Sequence, residues 1–153
     1  MGDRCCLSVR FRKEDTPKVR RFFHEEPATF EKGLTDNGDG TVTLEELEAN
    51  YCCYQEREAI AAAGVVFDGS HGAGDDNGPA LFCAFNGKCH NVDSLQRSCD
   101  PAVRVDLETG EICKKQFEEI LAFIEARRKA VAYLKAGNCD KIRNASAEQI
   151  SVC

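Results

Sequence analysis

Between residues 35 and 46 the chain reads Thr-Asp-Asn-Gly-Asp-Gly-Thr-Val-Thr-Leu-Glu-Glu, and no other stretch restricts its backbone so tightly. Oxygen-bearing side chains stand two residues apart at Thr35, Asn37 and Asp39. Gly40 follows where the backbone must turn sharply, and Glu46 closes the stretch. A hard cation that collects about six to eight oxygens asks for this layout, with a glycine in the middle and a carboxylate at the end.

Two metal-free readings use the same residues. Asn37-Gly38 and Asp39-Gly40 are hairpin-turn dipeptides, and Thr43 with Glu46 forms a capping box. The following residues decide against the hairpin, because Leu44, Leu47, Tyr51 and Tyr54 step by 3, 4 and 3. That stripe predicts a helix over 44–63, capped by Gly64.

The stretch resembles an EF-hand calcium loop. The resemblance implies Ca2+ held by the side chains of Asn37, Asp39 and Glu46, the carbonyl of Thr41, and Thr43 directly or through water. Thr35 or Asp36 fills the first place, because Thr35 stands where the family carries Asp. With so few charged ligands the implied affinity is on the order of 10⁻⁵ to 10⁻³ M. A degenerate copy follows at 105–116, with Gly110 in the place of Gly40 and Gln116 in the place of Glu46. Leu107 offers no ligand oxygen there. In such pairs the loops meet through a short two-stranded ribbon, which implies that Val42 pairs with Ile112. The expected fold is all-α: an EF-hand pair with that ribbon and a long Gly/Asp-rich insertion.

A net charge of −6 lacks the basic footprint of a nucleic-acid binder. No run of apolar residues is long enough for a membrane-spanning helix, and the N-terminus has no apolar segment of a secretory signal. Ten cysteines therefore read as thiols in a reducing compartment, the cytoplasm. The alternative is a secreted disulfide protein whose signal sequence is missing. Met-Gly-Asp-Arg-Cys-Cys also offers Gly2 for myristoylation and Cys5 or Cys6 for palmitoylation, and membrane attachment is expected only if these are acylated. Cys83, Cys89, His90 and Cys99 hold soft ligands, but not in the paired Cys-x2-Cys spacing of structural zinc sites.

Residues 1–15 read as an N-terminal tail and 16–136 as the EF-hand-like domain. Within it, Thr16-Pro17 starts a helix, residues 28–34 enter the first loop, and Gly-rich 64–91 is an insertion or linker. Phe117, Ile120, Leu121 and Ile124, continued by Val131 and Leu134, predict a helix ending at Lys135–Ala136, with 137–153 as a C-terminal tail. No nucleophile-elbow, P-loop or dinucleotide fingerprint occurs, and His24, His71 and His90 are scattered. The expected function is calcium binding without catalysis, acting on an unknown protein target. The alternatives are a metal-free helical interaction module and a cysteine-rich disulfide or zinc protein.

Overall fold

The computed structural model describes residues 4–23, 27–74, 78–95 and 100–150, except the side chains of 27, 28, 48, 51 and 138–150. Its centre is a strand. Cys5, Leu7, Val9 and Phe11 alternate with polar or charged neighbours, and this period of two puts all four on one face of β1 (Arg4–Arg12). Two further strands sandwich β1 antiparallel. β3 (Thr41–Asn50) sets Val42 opposite Phe11 and Leu44 opposite Val9, and β4 (Phe67–His71) sets Phe67 opposite Phe11. Adding β2 (Leu34–Asp36), β5 (Ala80–Phe85) and β6 (Lys88–Asp93) gives a six-stranded antiparallel sheet in the order β2-β3-β1-β4-β5-β6.

Helices cover both faces. On one side lie α1 (Thr16–Arg20), α2 (Pro27–Gly33) and α3 (Tyr54–Ala62), the last preceded by a 3-10 turn at Tyr51–Cys53. Val19, Phe30, Ile60 and Ala61 from these helices pack against Leu7, Val9, Phe11, Leu44, Phe67 and Phe82 of the sheet. On the other side lies α4 (Lys114–Ile150), whose Ile120, Phe123, Ala126 and Ala130 bury Leu81, Cys83 and Val92. β5 is enclosed between the layers, so Ala80–Ala84 is buried throughout and reads as a continuous apolar run. Arg127 clamps α4 to β4 through two hydrogen bonds to Asp68, at 2.7 and 3.2 Å.

The fold is therefore mixed α/β, not an all-α EF-hand pair. Residues 41–50 are the strand β3, not the start of a helix, because Val42 and Leu44 are buried by lying across from β1. Tertiary pairing here overrides the helical spacing of Leu44 and Leu47; Leu47 is 73% exposed. The expected ribbon is also absent: Val42 pairs with Phe11 and Asp36, whereas Ile112 pairs with Val105. The supposed insertion at 64–91 supplies β4, β5 and most of β6, and residues 4–12 of the supposed tail are the central strand. The long helix is present where the sequence places it, but it continues past Gly137 to Ile150.

Gly69 shows why part of the glycine-rich segment is core. A Cβ at this position would lie 2.4 Å from the Ser8 carbonyl oxygen and 2.5 Å from the Phe82 ring. Gly69→Ala is thus expected to cost about 1–3 kcal/mol by overpacking. Urea unfolding would show this as a lower midpoint with an unchanged slope.

Candidate metal centre

The calcium-type residues fall on a β-hairpin. Thr35 and Asp36 close β2, residues 37–40 turn, and Thr41, Thr43 and Glu46 lie on β3. Gly38 and Gly40 take positive φ, 75° and 83°, which glycine adopts without steric cost. The oxygens are used within the chain. Asn37 donates to the hydroxyls of Thr41 and Thr43, both at 3.0 Å, and Asp39 accepts from the Thr41 backbone and hydroxyl. Arg10 pairs with Asp39, and Lys13 with Asp36. The Thr41 hydroxyl above all holds the Asp39 carboxyl below its usual range; desolvation opposes it, and the Thr41 backbone N–H and Arg10 add to the lowering.

Glu46 does not join this group. It lies opposite Leu7 in the ladder. Five residues of extended strand at roughly 3.3 Å each put it about 16 Å from Thr41, whereas oxygens around one calcium ion lie within about 5 Å of each other. The structure brings Asn37, Asp39, Thr41 and Thr43 together and leaves Glu46 apart. In the second loop, Asp106 accepts from the backbone N–H groups of Glu108 and Thr109, as in an ordinary turn, and Leu107 is 98% exposed.

The thiols converge elsewhere. Antiparallel pairing places the start of β1 beside the end of β3 and the end of β4. Cys5, Cys52 and His71 therefore meet at one end of the sheet, with ligand atoms all within 4.8 Å of one another and all three side chains buried. A β-bulge adjusts this end: between Leu7 and Cys5, the facing strand advances from Glu46 to Ala49, one residue more than β1 does. Cys52 and Cys53 then take left-handed backbone at φ 55° and 48°, unusual for residues other than glycine. This double twist ends β3 and starts α3, with Cys53 at its N-cap.

The ring of His71 stacks on Phe82 at 6.2 Å between centroids, and its Nδ1 lies 2.9 Å from the Gly72 carbonyl. A carbonyl only accepts, so Nδ1 carries a proton here, and in the neutral tautomer the acceptor nitrogen is Nε2. Arg57 of α3 lies on the same side, 2% exposed, with its guanidinium 4.1 Å above the Phe82 ring. It donates to Asn91 at 3.1 Å, while its buried Nε has no hydrogen-bond partner among the described residues. Burial pushes the guanidinium below its ordinary value, opposed by the charge that Cys89, Cys52, Cys53 and Cys5 can carry.

The other soft ligands do not assemble. Cys83 and His90 are cross-strand partners beneath α4, whereas Cys89 packs on the opposite face, and Cys99 lies outside the described residues. Burial pushes Cys83 up to about 12 and Cys89 up to about 11, as expected of inert core thiols. Of the lipidation candidates, Gly2 lies outside the described residues, Cys5 is buried in the cluster, and Cys6 is exposed. No described helix is long and apolar enough to cross a membrane. Comparison with protein-family models, curated proteins and solved structures gave no match.

The hairpin has a pH signature. A depressed carboxyl stabilises the fold fully above its ordinary value of 3.8, and this contribution is lost as pH falls through the lower folded value. Asp39→Asn should therefore reduce stability at neutral pH and flatten the loss below about pH 4. Denaturant unfolding of both proteins between pH 2 and 7 would check this.

Proposed function

We propose that this chain binds a borderline-soft divalent ion of the zinc type through Cys5, Cys52 and His71. The observation that carries the reading is their convergence within 4.8 Å in the protein interior. In a tetrahedral zinc site with Zn–S near 2.3 Å and Zn–N near 2.0 Å, ligand atoms lie roughly 3.6 to 3.8 Å apart. The cluster needs to contract by no more than about one ångström to meet that geometry. Thiolate and imidazole favour zinc or a similar ion over calcium or magnesium, which take oxygens.

The surroundings fit the chemistry. With Nδ1 donating to the Gly72 carbonyl, Nε2 is the nitrogen His71 would offer a metal. Arg57 places positive charge near thiols that must lose protons to ligate. Two thiolates and a neutral imidazole would balance the charge of a divalent ion. Among the described residues no fourth His, Cys, Asp or Glu joins the group. Three protein ligands leave one tetrahedral position for water or another small ligand.

Calcium at the hairpin is the competing reading, supported by the composition of residues 35–46. It would require Asp39 to exchange Arg10 for the ion, without help from Glu46.

One experiment separates the two. Reduced, metal-free protein would be titrated with zinc against a chromophoric chelator, with cobalt as an optical substitute and calcium by calorimetry. One zinc per chain is expected, with thiolate-to-cobalt absorption. Cys52→Ser and His71→Asn should each weaken binding by more than the roughly 10- to 100-fold typical of losing a supporting hydrogen bond. Affinity should fall as pH is lowered, because protons compete for the ligands. Circular dichroism would verify that the variants fold. Silence toward zinc and cobalt, with a calcium heat that Asp39→Asn abolishes, would sink the thiol reading in favour of the hairpin.

A further inference from the structure

The long helix α4 carries two apolar stripes, and the sheet uses only one. Ile120, Phe123, Ala126, Ala130 and Leu134 face inward and are buried. Phe117, Leu121 and Ile124 form a second stripe at 49%, 51% and 41% exposure. Extended through Arg128 to half-buried Val131, this stripe steps by 4, 3, 4 and 3, the spacing of a two-helix seam. An exposed row of large side chains at that spacing marks a surface that another helix can cover.

We propose that the covering helix is α4 of a second copy of this chain, packed antiparallel. The charges select both occupant and direction. Glu118 and Arg128 are exposed and form no close ion pair among the described residues; Arg128 acts on Glu125 only through its field, because the Glu125 carboxylate is held by Lys129 at 2.7 Å. A two-fold axis crossing α4 between Ala122 and Phe123 sets Leu121 against Ile124 of the partner subunit. The same axis carries Arg128 of the partner subunit to Phe117 and Glu118. One operation thus satisfies the apolar layer and the unpaired charges together. Parallel pairing would instead stack Arg128 on Arg128 of the partner subunit, which like-charge repulsion opposes.

The receiving end has a suitable shape. A shallow groove of about 520 Å³ lies between the 105–112 turn and the start of α4, lined by Gly110, Glu111, Ile112, Lys114, Phe117 and Glu118. Phe117 offers a ring face and Glu111 and Glu118 offer carboxylates, which together suit a guanidinium. Self-complementarity repeats the contact at the other end of the interface, as two-fold symmetry demands.

Sedimentation equilibrium of the full chain, reduced, at several salt concentrations is the test. A dimer is expected that Leu121→Glu converts to monomer without changing the circular dichroism spectrum, because Leu121 is exposed in the single chain. Glu118→Arg and Arg128→Glu should each weaken association about tenfold or more, and the double reversal should recover most of that loss. A chain monomeric up to about millimolar concentration has no interface of useful strength, and that result would overturn the proposal. So would a dimer indifferent to Leu121→Glu, or single reversals that the double variant fails to repair. The metal reading is independent of these outcomes, since Cys5, Cys52 and His71 lie on the opposite face of the sheet.

Discussion

The pairing of β1 with strands on both its edges is the interaction on which this structure depends. Phe11 is completely buried between Val42 on one side and Phe67 on the other, and Leu7, Val9 and Cys5 follow it in a single row. Every buried backbone N–H and C=O must find a partner, and the central strand satisfies both edges at once. That arrangement draws three remote parts of the chain to one end of the sheet. The thiol–imidazole cluster follows from the ladder register.

How much of this was legible in the sequence varied with how local the deciding contacts are. The long C-terminal helix was readable from the spacing of Ile120 to Leu134 because a helix largely specifies itself. Its inward face was readable only in part, since Phe117, Leu121 and Ile124 turned out exposed. The alternation of Cys5, Leu7, Val9 and Phe11 was a plain strand signal, obscured by the surrounding arginines and the paired cysteines. Asn86-Gly87 was an equally plain hairpin signal between β5 and β6, and it takes φ 52° and 76°. Leu44 and Leu47 misled because two apolar residues three apart fit a helix, whereas only Leu44 is buried. The cluster itself left no trace in local spacing. Cys5, Cys52 and His71 become neighbours through strand order alone, and no motif encodes that.

The hairpin at 35–46 explains why a calcium-loop composition can describe a turn. Both structures need glycine where φ is positive and short oxygen-bearing side chains that accept from nearby backbone N–H groups. They part at the last residue: a loop around an ion must curl back to present Glu46, whereas β3 carries Glu46 away along the ladder. Arg10 and Lys13 supply the positive charge that an ion would otherwise bring. The local chemistry is shared, and what the next strand pairs with decides between the two outcomes.

A central strand that precedes both of its sheet neighbours in the chain has a consequence for the order of folding. β1 is made before either of its neighbours, so its two edges are not both paired until residue 71 has been synthesised. The hairpins β2–β3 and β5–β6 close over short distances and can form early, whereas insertion of β1 between β3 and β4 requires long-range closure and is the natural slow step. Until it happens, the nascent chain exposes two unsatisfied sheet edges and an apolar strand that fits between them. This is the state in which one molecule can donate its first strand to another, and a crowded preparation would be most prone to aggregate through it.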